Sequence, residues 1–239
     1  MSILDSTLVV IPALNEESTV GGIVRLALQL GVAEVVVIDD NSTDHTASIA
    51  RAAGATVVSL SERLGAWPAI QTGFRYAVRR GARIVVTMDA DGQHVADDLP
   101  RLISTLSTSS ANVAIASCPE RGSALRKIAW RWIRYITKLP INDITSGFRA
   151  YDRLAIRRLA AWPASLLEYQ DVGVLLILQK SKLSIVEVEV HMPSRQDGKS
   201  RIFGTWGTVV YYMLQTSILG AAKRPRGKLS SDQPARAIR

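Results

Sequence analysis

The sequence predicts an α/β fold, a mostly parallel sheet with helices on both faces, and three observations carry that expectation. Short apolar, β-branched runs alternate with segments whose apolar residues recur at helical spacing, the pattern of strand-crossover-strand units. Three of these runs end in acids, at Glu16-Glu17, Asp39-Asp40 and Asp89-Ala90-Asp91. Parallel sheets bind ligands at the carboxyl edges of their strands, so the acids mark one functional edge. The first run is followed by Pro12-Ala13-Leu14-Asn15-Glu16-Glu17, whereas a dinucleotide-binding unit needs Gly-x-Gly-x-x-Gly there. A glutamate-rich loop repels a pyrophosphate unless a metal intervenes.

In chain order, Thr7 to Pro12 reads as a buried strand stopped by proline. A helix begins near Ser18 or Thr19 and places Val20, Ile23, Val24, Ala27 and Leu28 on one face, with Gly31 closing it. Glu34 to Ile38 is a second strand, Ser42 to Ala53 a second helix, and Ala55 to Leu60 a short third strand. Pro68 to Arg80 is a third helix before the strand that leads into Asp89 and Asp91. Asp97 and Asp98 precede Leu99-Pro100 as a helix start, Ala111 to Ser117 is a small-residue strand, and a new element begins near Thr145. Val172 to Leu178 has helical length, and Leu183 to Val190 is the last strand.

At 239 residues the chain suits one α/β domain with a tail. A formal charge of +8 and a pI near 9.9 favour an anionic partner. Cys118 is the only cysteine, which excludes an intrachain disulfide and fits a reducing compartment. With three histidines and no Cys/His pairs at ligand spacing, no structural zinc site is expected. Met1 to Asp5 lacks a basic stretch before an apolar run, so no secretory signal is expected.

Asp89 and Asp91 could not stay charged in a core without partners, so they belong at the open end of their strand. Residues two apart in extended chain project to one side. Two hard oxygen donors at that spacing, with Gln93 as a third, suit Mg²⁺ or Mn²⁺ with positions left for phosphate oxygens. The competing reading is an acidic turn that caps the following helix. Asp39-Asp40 has the same two readings, with Asn41 or Ser42 capping while Asp40 faces a ligand.

Ile11 to Glu17, Val37 to Asp44 and Met88 to His94, in this order and spacing, resemble the family 2 inverting glycosyltransferases of GT-A fold. The subgroup resembled is the dolichol-phosphate mannosyltransferase-like and related polyprenyl-phosphate glycosyltransferases. Two further segments match it, Asp143 to Tyr151 and Ile185 to Val188 followed by Arg195 and Gly198-Lys199-Ser200-Arg201. The likeness spans roughly residues 7 to 203 and implies a role for each cluster. Pro12, Ala13 and Glu16, with Asp39 or Asp40, would hold the nucleoside of a nucleotide sugar. Asp89, Asp91 and Gln93 would hold the divalent metal that offsets charge on the departing diphosphate. Relatives carry arginine where Cys118 stands, so phosphate contact passes to Arg121 or Arg126, and Cys118 reads as a small buried residue. The segment with Ser146, Gly147 and Arg149 lines the acceptor side, where Arg149 either completes a phosphate-facing cluster or pairs with Asp143. Arg195, Lys199 and Arg201 would close over the diphosphate.

The reaction implied is transfer of a hexosyl unit, from a GDP- or UDP-linked donor and with inversion, to a polyprenyl phosphate at the cytoplasmic membrane face. Arg126 and Ser146 would meet the acceptor phosphate. For a sugar-hydroxyl acceptor, the alternative, Asp171 is the candidate general base, and it competes with a capping role. A non-catalytic nucleotide-sugar binder is a further alternative, raised by Ala66-Trp67-Pro68, Cys118 and Gly173.

Arg126, Lys127, Arg131, Arg134 and Lys138 interleave with Trp130, Trp132 and Tyr135 on an expected helix. No nucleic-acid fold signature accompanies them, which leaves a membrane-headgroup surface or an ordinary solvated basic face. Ile202 to Ala222 carries no charge and Lys223-Arg224-Pro225-Arg226-Gly227-Lys228 follows. An interfacial helix against anionic lipid is the favoured reading, ahead of a span or a helix packed on the domain. The domain expectation is therefore a catalytic unit over 1–203, an apolar-then-basic segment over 204–228 and a disordered tail over 229–239.

Overall fold

The computed structural model describes residues 3–92, 96–118, 124–139, 141–144, 146–161, 164–165 and 172–190. Seven strands form one sheet in the order β3-β2-β1-β4-β6-β5-β7. They are β1 Thr7–Ala13, β2 Glu34–Asp39, β3 Thr56–Ser59, β4 Ile84–Thr87, β5 Val113–Ser117, β6 Arg149–Asp152 and β7 Ile185–Glu189. All pairings are parallel except those of β6, which runs antiparallel to β4 and β5. The helices are α1 Val20–Gln29, α2 Thr46–Ala52, α3 Ala66–Arg80, α4 Leu99–Thr108, α5 Ala124–Thr137, α6 Arg153–Ala160 and α7 Val172–Lys180.

The pleat divides the strand residues between two cores. Val9, Ile11, Val35, Val37 and Val86 face α1, α2 and α4. Leu8, Val10, Val36, Ile38 and Val85 face α3, α5, α6 and α7. Covering both faces explains why these strands read as continuous apolar runs rather than alternating ones.

Two helices start elsewhere than expected. α2 begins at Thr46 rather than Ser42, because Ser42, Thr43 and Asp44 bond instead to the loop after β1. α3 begins at Ala66 rather than Pro68; proline is tolerated in the first turn, where its missing N–H has no helical acceptor. β6 and α6 resolve the element expected near Thr145. Arg-Ala-Tyr-Asp carries no strand pattern of its own, and its pairing with two neighbours supplies what propensity does not. Among the described residues, no helix is long and apolar enough to cross a membrane. The expectations for 202–222 and for the tail lie outside the described residues.

Candidate active site

β2, β1 and β4 are neighbours and parallel, so the loops leaving their carboxyl ends gather along one edge. After β1, Asn15 adopts a left-handed φ of 54° and turns the chain so that two loops lace together. The Asn15 amide donates to Ser42 Oγ at 3.0 Å, and the Thr43 amide to Asn15 Oδ1 at 2.9 Å. The Glu16 amide donates to Thr46 Oγ1 at 2.8 Å, which leaves the half-buried Glu16 at the rim of the edge. Pro12 and Ala13 lie at the end of β1 beneath it. Burial opposes ionisation of Asp44, but hydrogen bonds from Thr46 and the Glu17 amide outweigh it and hold its pKa below the ordinary value.

The alternation of β2 sends Asp39 and Asp40 to opposite faces. Asp39 accepts the Ser42 amide at 3.0 Å on the α2 side. Asp40 accepts the amides of Leu64 and Gly65 at 2.7 and 2.9 Å on the α3 side. Both are buried, at 5% and 3% exposure. Asp40 thus has both oxygens on the turn that opens α3, whereas one oxygen of Asp39 is taken up among the described residues. Neither Asn41 nor Ser42 caps α2, which begins at Thr46, and the two aspartates differ in the loop each one holds.

Asp89 and Asp91 are half-buried on the loop leaving β4, and three contacts fix that loop. Thr19 Oγ1, at the start of α1, donates to the Ala90 carbonyl at 2.6 Å. Thr87 Oγ1 donates to the Gly147 carbonyl at 2.7 Å. A Cβ on Gly147 would lie 2.8 Å from Asp89 Oδ2 and 2.9 Å from Oδ1. Only glycine lets the 146–148 segment lie against that carboxylate. Gly92, with φ of 74°, then turns the chain away.

The acceptor-side segment is tied down from below. Arg149 is 1% exposed; its Nε donates to the Ser146 carbonyl at 2.7 Å and Nη2 to the Ile144 carbonyl at 2.9 Å. It holds that turn from within the core, a positioning role. Glu187 on β7 receives the amides of Asn142 and Asp143 and the side-chain amide of Asn142, at 2.8 to 2.9 Å. Asp143 in turn accepts the amide of Cys118 at 3.2 Å, and Cys118 is buried as expected. Ser146, 6% exposed, has a hydroxyl with no hydrogen-bond partner among the described residues. A buried hydroxyl is normally bonded, which singles this one out among the described residues.

The structure therefore brings together Pro12, Ala13, Glu16, Asp39, Asp89, Asp91 and Ser146, and puts Asp40 and Arg149 beneath them. Thr19, Thr87 and Glu187 join them as positioning residues. Thr19 reads only as a helix start and Thr87, inside an apolar run, as another β-branched strand residue; Glu187 was visible only as part of a matching segment. Gln93, Arg121, Asp171, Arg195, Lys199 and Arg201 lie outside the described residues, as does the side chain of Arg126 on α5. Among the described residues no group of three or more His, Cys, Asp or Glu side chains could hold a metal ion alone. The pair Asp89 and Asp91 fits a different case, a cation that takes its remaining oxygens from substrate and water.

Comparison with known proteins follows the same geometry. The model of glycosyl transferase family 2 matches residues 8–161. Undecaprenyl-phosphate mannosyltransferase of Micrococcus luteus is 31% identical over 92% of this chain and 96% of its own. Polyprenol monophosphomannose synthase of Mycolicibacterium smegmatis is 28% identical over 92% and 90%. The structure of glucosyl-3-phosphoglycerate synthase from Mycobacterium tuberculosis with Mn²⁺, UDP-glucose and phosphoglyceric acid has a TM-score of 0.72 at 20% identity. It covers 94% of this chain and 84% of that one, a likeness of fold.

Proposed function

The chain belongs to glycosyl transferase family 2 and is a glycosyltransferase of GT-A fold, and from this premise we propose that it moves a hexosyl unit from a nucleotide sugar to a polyprenyl phosphate. The observation that carries the reading is the convergence of Glu16, Asp39, Asp89 and Asp91 at the carboxyl ends of adjacent strands. Two relatives of nearly full coverage named for polyprenyl-phosphate mannose transfer support the acceptor class.

In this reading Pro12, Ala13, Glu16 and Asp39 take the nucleoside. A carboxylate accepts the ring N–H of uracil or guanine, so the donor is UDP- or GDP-linked. Asp89 and Asp91, with Gln93, hold Mg²⁺ or Mn²⁺, which would supply Lewis-acid relief of charge on the departing diphosphate. Arg195, Lys199 and Arg201 add cations to the same diphosphate. On the acceptor side, Ser146 offers to the phosphate a hydroxyl that has no partner among the described residues, with Arg126 as the counter-charge. A phosphate monoester has its second pKa near ~6 and is anionic at neutral pH. An acceptor oxygen therefore attacks the anomeric carbon without a dedicated base, the bond to the diphosphate breaks on the opposite face, and the configuration inverts. Asp171 is needed as a base only for a hydroxyl acceptor. The protein works at the cytoplasmic membrane face, where such a lipid presents its phosphate.

The test combines two measurements. A thermal-shift panel of GDP, UDP and their hexose conjugates, with and without Mn²⁺, should show stabilisation by one base series that grows with ligand concentration. Asp91→Ala should retain the fold by circular dichroism and lose at least about 100-fold in transfer, consistent with removal of an electrostatic contribution of several kcal/mol. Full transfer by Asp91→Ala would remove the metal assignment.

A further inference from the structure

One surface remains unexplained by the transfer site. On α5, Trp130 and Ile133 are buried at 5% and 2% exposure. Trp132 and Tyr135 point the other way, at 49% and 78% exposure, with ring centroids 6.5 Å apart. Arg131 and Lys138 are exposed with them. The flank continues onto α7, where Gln179 Nε2 donates to the Lys138 carbonyl at 3.4 Å and Lys180 and Lys182 are exposed. Neither 124–141 nor 172–186 contains an acidic residue. Glu187, the acid that follows, is engaged by Asn142 and Asp143.

A solvated basic helix has no use for two neighbouring exposed rings. Amphipathic rings flanked by exposed cations suit the headgroup zone of an anionic bilayer, where the rings sit at the apolar boundary and the cations meet phosphate. We propose that the outer flank of α5 is the membrane-docking surface, with Trp132 and Tyr135 inserted among headgroups and Arg131, Lys138, Lys180 and Lys182 paired with anionic lipid. The choice of a bilayer over a nucleic acid rests on the lipid-phosphate acceptor proposed above.

The test is co-sedimentation of the full chain with vesicles of phosphatidylcholine alone or mixed with phosphatidylglycerol. Wild type should partition to the anionic vesicles and release as salt is raised. Trp132→Ser/Tyr135→Ser should bind about tenfold more weakly. Arg131→Gln/Lys138→Gln should lose about fivefold per cation and show a shallower salt dependence. Arg79→Gln/Arg83→Gln, at the amino edge, should bind as wild type. Wild-type partitioning by the Trp132/Tyr135 variant overturns the proposal, as does equal binding to both vesicle types. So does a variant that loses only self-association in velocity sedimentation. Transfer to a short-chain polyprenyl phosphate in detergent separates the two readings. Normal transfer with unaltered partitioning of the variant defeats the docking surface alone; absent transfer with α5-dependent partitioning defeats the acceptor alone.

Discussion

A buried hydroxyl without a partner destabilises a fold by about 1–3 kcal/mol, and among the described residues Ser146 has one, beside Gly147, against which the Asp89 carboxylate lies. Ser146→Ala should therefore leave the urea midpoint unchanged or raise it. It should also lower transfer about tenfold, the loss of one hydrogen bond to a charged group. Unchanged transfer would return Ser146 to a purely structural role. At this scale the acids were legible in the sequence because a carboxylate at the end of an apolar strand has no place in the core. Arg149 was not, since an arginine reads as a surface cation until two carbonyls, of Ser146 and Ile144, are found buried around it.

The elements press on one another where side chains are smallest. A Cβ on Gly73 in α3 would lie 2.3 Å from Val10 Cγ1 on β1, and β1 leads straight into the Glu16 loop. Gly73→Ala should destabilise by about 1–3 kcal/mol despite its better helix propensity, as a fall in urea midpoint; a stabilised variant would refute this contact. At the opposite edge, Glu34 joins β2, β3 and α3 by accepting Tyr76 Oη at 2.6 Å and Thr56 Oγ1 at 2.7 Å, with Arg80 Nε at 3.4 Å. Burial would raise its pKa, but the hydrogen bonds from Tyr76 and Thr56 and the charge of Arg80 outweigh this and lower it. The hydrogen bond to Glu34, then burial, raise the pKa of Tyr76. A lowered carboxylate stabilises fully above the ordinary Glu value of about 4.3 and loses that stabilisation as pH falls through the lower native value. The raised phenol stabilises below about 10 and loses its contribution as pH rises through the higher native value. Tyr76→Phe should cost about 1 kcal/mol at neutral pH, and its gap from wild type in urea titrations should narrow in acid. A gap independent of pH would mean that packing, not the carboxylate, holds Tyr76. The three strands that lead into the acids were readable as apolar runs, whereas β6 depends on neighbours that no local pattern reveals.

Across the whole molecule the charges are polarised. Glu16, Asp39, Asp89 and Asp91 gather at the carboxyl edge, while Arg79, Arg80, Arg83, Arg153 and Lys182 are exposed toward the amino edge. A net charge of +8 pointed to an anionic partner, but the count alone could not say that acids would occupy the edge proposed to meet phosphates. The parallel architecture was legible because alternation of strand and helix is a long-range regularity. The place of the sixth strand was not, and it has a kinetic consequence. β6 lies between β4 and β5, so β5 and β7 reach the rest of the sheet only through residues 149–152. A ribosome releases the amino terminus first; β1 to β4 can assemble at once, whereas β5 must wait as an orphaned apolar ribbon, a target for chaperones. Reversed, the same dependence governs opening: hydrogen exchange should find β5 and β7 detaching together as one foldon, before the amides of β1 and β2 are released.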